Sequence, residues 1–189
     1  MSKAAIVAET KGLDTENDRG VWSTMWTGGN FYAFDPKPEE VVLEDIIVSL
    51  AKQCRFNGSC SEFYSVAQHS VLVAEMVPDR WKRAALFHDA TEAYIGDIIK
   101  PIKYSIPIIK EVEDKIWSVI AGKYNLPKVL PECVHKADVQ MCSNEKRDFL
   151  PHAPEWRNMP KAKGPRIVPL GWKAAENLFR RKVSEYSFL

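Results

Sequence analysis

The stretch Leu86-Phe87-His88-Asp89-Ala90-Thr91-Glu92 sets a histidine and an aspartate side by side in an otherwise apolar helical run. Burying two such groups is costly without a partner or a metal ion. At helical spacing His88 and Glu92, four apart, share a face, and Asp89 and Glu92, three apart, can converge. Upstream, Ser65-Val66-Ala67-Gln68-His69-Ser70 places a second histidine in another apolar helix. Downstream, Val134-His135-Lys136-Ala137-Asp138-Val139 places an aspartate in a third. Two imidazoles and two carboxylates from separate helices make a mixed N/O site for a divalent transition metal. Three or four protein ligands leave positions open for water and substrate, as catalysis requires. The plainer alternative is a His-Asp pair satisfied by its neighbours, beside two unrelated polar residues. Such a set suits zinc, cobalt or manganese and does not fix which is loaded, with magnesium an option at a second site.

The elements that must position these groups are mostly helices. Val21-Trp22-Ser23-Thr24-Met25-Trp26-Thr27 and Asn30-Phe31-Tyr32-Ala33-Phe34 flank Gly28-Gly29 and read as a small β-hairpin, stopped by Asp35-Pro36. Leu43, Ile46, Ile47, Leu50, Ala51 and Cys54 give one apolar helical face. A second helix is expected over about 63–77, ended by Pro78, and a third over about 80–94, ended at Gly96. Pro101 and Pro107 break the next stretch. Ile108, Ile109, Val112, Ile116, Val119 and Ile120 mark a fourth helix, and a fifth covers about 131–149. Five prolines at 151, 154, 160, 165 and 169 make a long loop over 151–170, of the kind that is often functional. A last amphipathic helix is expected over 171–186, with Trp172, Ala175, Leu178, Phe179 and Val183 on one face. The fold class is therefore mostly α, a single-domain helical bundle with a small N-terminal β-hairpin. Residues 1–27 form an extension, its first 20 residues lying loosely on the surface, and 28–189 the domain.

The 189 residues suffice for one core, and Lys+Arg 26 against Asp+Glu 25 leaves a net charge of +1. That balance argues against a basic clamp for a nucleic-acid polymer. No apolar run approaches the ~18–20 residues of a membrane span, and the first residues are too weakly apolar for a signal peptide. An intracellular protein without a membrane partner is expected. Cys54, Cys60, Cys133 and Cys142 contain no CxxC, so they read as reduced thiols rather than a zinc site or a disulfide scaffold.

The order His69, His88-Asp89, Asp138 resembles the H…HD…D signature of HD-domain metal-dependent phosphohydrolases. The likeness extends through Phe34-Asp35-Pro36, Cys54-Arg55-Phe56-Asn57-Gly58, Phe63-Tyr64-Ser65-Val66-Ala67-Gln68-His69-Ser70, His88-Asp89-Ala90-Thr91-Glu92-Ala93-Tyr94-Ile95-Gly96-Asp97-Ile98 and Lys136-Ala137-Asp138, over roughly residues 28–150. These strings resemble small phage and bacterial HD hydrolases that include 5′-nucleotidases. Among these the chain looks most like dATP triphosphohydrolases of phages that replace adenine with 2-aminoadenine.

The resemblance implies an HD-type bundle in which His69, His88, Asp89 and Asp138 hold a divalent transition metal. It implies Glu92 as the group that orients or deprotonates the attacking water, or else as a partner of a ligating histidine. Asp97 would be the second acid, positioning water or protonating the leaving oxygen; its alternative is a turn residue after Gly96. Arg55 would grip phosphate with its fork, and Lys103, preferred over Lys100, would add a cation. Phe56 is the stacking residue for a nucleobase, with core packing its alternative. Asn57, Asn30 and Tyr64 are open choices for reading base edges. Glu145-Lys146-Arg147-Asp148 reads as a salt-bridged surface face, and Trp22 and Trp26 as hairpin packing or a subunit contact. The chain departs from its relatives at Ser59-Cys60-Ser61, where they often carry a histidine. His135 and His152 read as surface residues rather than extra ligands.

The reaction implied is metal-dependent hydrolysis of a deoxynucleotide between nucleoside and phosphate, with dATP the favoured substrate and triphosphate a product. The alternatives are a 5′-nucleotidase on deoxynucleoside monophosphates and a non-catalytic nucleotide-binding module. Cytoplasmic location, in the host if phage-encoded, and homo-oligomerisation are further implications.

Overall fold

The computed structural model describes residues 19–187; most of the N-terminal segment read as loose surface chain lies outside them. The hairpin consists of β1 (Ser23–Thr24) and β2 (Asn30–Phe31), antiparallel with Ser23 opposite Phe31 and Thr24 opposite Asn30. Met25 N–H donates to the Gly29 carbonyl at 2.8 Å, and Gly28 takes a φ of +85° that suits glycine. The strands are shorter than the alternating runs suggest, because side-chain bonds anchor the turn. Thr27 donates from its backbone and its hydroxyl to the buried Asp45 carboxylate, at 2.8 and 3.0 Å.

Eight helices follow: α1 (Leu43–Lys52), α2 (Val66–Glu75), α3 (Asp79–Leu86), α4 (Glu92–Ile95), α5 (Lys100–Ser105), α6 (Pro107–Tyr124), α7 (Glu132–Phe149) and α8 (Trp172–Tyr186). The protein is thus mostly α with a small N-terminal sheet. Helix α2 is the central element. All but two of its ten residues are buried, and it packs against α1, α3, α7 and α8. A helix apolar all round belongs inside a bundle. Ser65 starts it, its hydroxyl accepting from Gln68 N–H at 3.1 Å. Phe31 stacks on Tyr94 of α4, ring centroids 3.9 Å apart, which ties the hairpin to the core.

Two expectations need correction. The helix expected over 80–94 is interrupted: α3 ends at Leu86, α4 begins at Glu92, and the residues between turn through i→i−3 bonds. In a regular helix Asp89 N–H would bond the Ala85 carbonyl. Here the His88 ring takes that carbonyl, Nδ1 to oxygen 2.7 Å. The His-Asp pair therefore sits on a tight turn, not within a helix. The second correction is α5, unexpected because Pro101 and Pro107 read as breakers. Each falls in the first turn of a helix, where its missing N–H has no helical partner to lose.

Candidate metal centre and active site

His69 enters the site from α2, His88 and Asp89 from the turn between α3 and α4, and Asp138 from α7. His69 Nε2 lies 3.4 Å from His88 Nε2, 3.5 Å from an Asp89 oxygen and 3.2 Å from an Asp138 oxygen. His88 Nε2 is 3.3 Å from the same Asp89 oxygen.

The far side of each ring decides what these nitrogens can do. His88 Nδ1 faces the Ala85 carbonyl, and His69 Nδ1 faces a Glu145 oxygen at 2.5 Å. Each Nδ1 therefore donates its proton to an acceptor, which leaves Nε2 of each neutral ring as a bare lone pair. With both rings neutral, two nitrogen lone pairs facing each other beside two carboxylates form a donor set that fits a divalent transition metal. His69, His88 and Asp138 form a group that could hold such an ion, with Asp89 against both rings.

Glu145 has no place among the sequence-expected site residues, yet it organises this centre. It is fully buried. Besides His69, it accepts from Arg55 Nε at 3.2 Å and Nη2 at 3.0 Å. Burial alone would raise its carboxyl; the Arg55 and His69 charges outweigh that and hold it at about 2. His69 responds in the opposite sense. Burial and Arg55 push its ring down, but Glu145 and Asp138 win and raise it to about 9. Asp138 is lowered against the effect of burial, by its contact with His69.

Arg55 is buried, so the two-pronged phosphate grip expected from the sequence is occupied by Glu145. Its remaining nitrogen, Nη1, lies 3.7 Å from Asp89. Its place is set by a backbone bond from Arg55 N–H to the Tyr64 carbonyl and by the left-handed Phe56 and Asn57 that follow.

Glu92 is buried at the start of α4. One carboxylate oxygen meets Lys103 at 3.3 Å, and the other is buried without a hydrogen-bond partner. Burial, reinforced by Asp89 and Asp97, raises its carboxyl well above the ordinary range. Asp97 lies half-buried between α4 and α5. Burial raises it too, against Arg55 and with Asp89. Lys103 also pairs with Glu113 at 2.7 Å, so it stands between two carboxyl groups. Lys100 reaches Asp138 at 3.7 Å from a largely exposed position.

The remaining expectations divide. Phe56 sits beside Arg55 but turns toward Trp156 of the long loop, centroids 6.5 Å apart. Tyr64 is fully buried and stacked on Phe149, which removes it as a reader of base edges. His135 and His152 are exposed, outside the metal-holding group. Trp26 is largely exposed, with the Lys52 ammonium of α1 3.9 Å from its ring centroid.

Comparison with known proteins gives the family of the chain. Residues 60–149 match the family model described as 5′-deoxynucleotidase YfbR-like. The uncharacterised protein YfdR of Escherichia coli (strain K12) is 39% identical over 168 residues, covering 87% of this chain and 94% of that protein. An uncharacterised protein of Rhodobacter capsulatus is 36% identical over 126 residues, 61% of this chain and 64% of that protein. Among the described residues no helix is long and apolar enough to cross a membrane. With the histidine–carboxylate centre in place, these matches mean that the chain belongs to the 5′-deoxynucleotidase YfbR-like family and is an enzyme, a nucleotide phosphohydrolase of the HD type.

Proposed function

We propose that the protein is a metal-dependent 5′-nucleotidase that converts deoxynucleoside monophosphates to deoxynucleosides and phosphate. The observation that carries this choice is the state of the cations. A triphosphate needs much positive charge beyond the metal, yet Lys103 is held between Glu92 and Glu113 and the Arg55 fork by Glu145, which leaves Lys100, largely exposed beside Asp138, as a cation for a single phosphate. One phosphate needs only the metal, that lysine and the remaining Arg55 nitrogen. The family match supports the same substrate class, so the dATP triphosphohydrolase reading gives way to this one.

His69, His88, Asp89 and Asp138 would hold a divalent ion, which when bound would supply Lewis-acid polarisation of a phosphoryl oxygen and lower the pKa of water. Glu92, fixed through one oxygen by Lys103, has its other oxygen free to orient the attacking water and takes the water's proton in its ionised form. Water oxygen bonds to phosphorus, the bond to the 5′ oxygen breaks, and the nucleoside leaves with a proton. Asp97, its carboxyl raised by burial, suits the donation of that proton. Arg55 Nη1 neutralises a phosphate oxygen.

The test is a substrate panel. Each deoxynucleoside monophosphate and triphosphate is offered with manganese, cobalt, zinc or magnesium. Phosphate release from monophosphates is the expected result. Turnover of triphosphates alone, with intact triphosphate released, would overturn the reading.

A further inference from the structure

Helix α5 carries two lysines to the acidic groups of the site: Lys100 reaches Asp138, and Lys103 reaches Glu92. Yet none of the six residues of α5 is buried. Ile102 is exposed and Tyr104 more so, at 81%. Apolar burial fixes the other long helices but not this one, and an element with so few buried contacts opens easily. The helix that follows is different. Val112, Ile116, Ile120 and Ala121 of α6 are buried, and Glu113 stands next to Val112 on that anchored element.

Lys103 joins the two helices. Its ammonium lies 2.7 Å from a Glu113 oxygen and 3.3 Å from Glu92 Oε1. All three side chains are largely shielded from solvent, Glu113 at 15% exposure and Lys103 at 21%. A lysine head on a four-carbon stem has many places to go, and the backbone of α5 does not choose one. The shorter contact does: Glu113 sets where the ammonium stands, and Glu92 meets it there. The second Glu92 oxygen is buried without a hydrogen-bond partner. Among the described residues, Lys103 is therefore the one side chain that orients this carboxyl group by a hydrogen bond.

We infer that Glu113 is a positioning residue for the hydrolysis: from α6 it holds Lys103, docks α5 against the site, and through Lys103 sets the rotation of Glu92 toward the attacking water. The inference rests on the nucleotidase reading above, in which Glu92 handles that water, and deepens it. Glu113 acts only through Lys103. Replacing it by glutamine keeps the shape and removes the charge that draws the ammonium to α6. Glu92 then follows a head that is no longer fixed, and a displacement of about 1 Å in a positioned group can cost about 10²-fold in rate.

The experiment compares Glu113→Gln, Lys103→Met and the double variant with wild type. The metal-loaded proteins are assayed on a deoxynucleoside monophosphate. Amide hydrogen exchange over residues 100–105 is followed by mass spectrometry in the metal-free proteins. Each single change should cut kcat about ten- to hundredfold, with KM within about threefold. The double variant should lose no more than Lys103→Met alone, because both changes act through one contact. Exchange over 100–105 should speed up about tenfold in Glu113→Gln, with α7 and α8 unchanged. An unchanged kcat, losses that multiply in the double variant, or exchange over 100–105 at the wild-type rate would overturn the inference. If the wild type turns over no monophosphate, the reaction assignment fails instead, and exchange alone decides the anchor. Faster exchange confined to 100–105 in Glu113→Gln then supports it; unchanged exchange, or faster exchange throughout the protein, rejects it.

Discussion

His69 Nδ1 and a carboxylate oxygen of Glu145 stand 2.5 Å apart, both side chains without solvent exposure. Glu145 thereby fixes which ring nitrogen of His69 faces the metal centre, and it is held in turn by Arg55. Neutralising it should leave a folded protein with a loosened centre. Glu145→Gln is expected to weaken metal affinity about 10–100-fold, read by titration of metal into the metal-free protein. Glu145→Ala should be worse, because it strands the buried Arg55 charge; breaking a buried pair costs about 3–5 kcal/mol, measured by denaturant unfolding.

Metal uptake should depend steeply on pH. Without metal, His69 holds a second proton up to about 9, and a ligating imidazole must release it. Affinity is therefore expected to rise with pH from 6 to about 9 and then level off. Calorimetry in buffers of different ionisation enthalpy should show close to one proton released near pH 7. A flat profile would mean that His69 does not ligate.

Glu92 carries opposite consequences for activity and stability. Its carboxyl is raised in the fold, so as pH climbs past the ordinary carboxyl value the unfolded chain ionises first. Folding stability then falls with further rise in pH until the folded-state value is reached. Glu92→Gln removes that penalty. The metal-free variant should melt higher than wild type at pH 7.5, while the metal-loaded variant loses about 10²–10⁴ in kcat. Lys103 keeps Glu113 as its partner in this variant.

Gln68 holds the end of the long loop through both halves of its amide. Gln68→Ala leaves a backbone carbonyl and an N–H without these partners. A loss of about 1–3 kcal/mol is expected, with proteolysis beginning within 151–170. Uniform loss of stability without early cleavage there would show that the loop does not depend on this residue.

Much of this was legible in the sequence because the groups that bear chemistry sit inside apolar, periodic runs. The three-and-four spacing of Leu43 through Ala51 marks α1, and the polar breaks at His69, His88-Asp89 and Asp138 mark the centre. Glu145 was hidden by its neighbours: inside Glu-Lys-Arg-Asp it reads as part of a solvated charge cluster. Its position seven residues after Asp138, two turns along the same face of α7, was the available signal. The turn at His88-Asp89 was not legible, because it depends on a side-chain ring bonding the Ala85 carbonyl, which periodicity does not encode. Likewise Lys103 and Arg55 read as free cations until the tertiary fold brings Glu92, Glu113 and Glu145 against them.

The proposed reaction is attack of water on a single phosphorus, with the bond to the 5′ oxygen broken, in the enzyme loaded with a divalent ion. Single-turnover hydrolysis of a deoxynucleoside monophosphate in ¹⁸O-water, with mass analysis of both products, tests it most directly. The expected result is one ¹⁸O in the phosphate and none in the deoxynucleoside, with turnover abolished by Asp138→Ala. Label in the nucleoside, or undiminished turnover without Asp138, would contradict it.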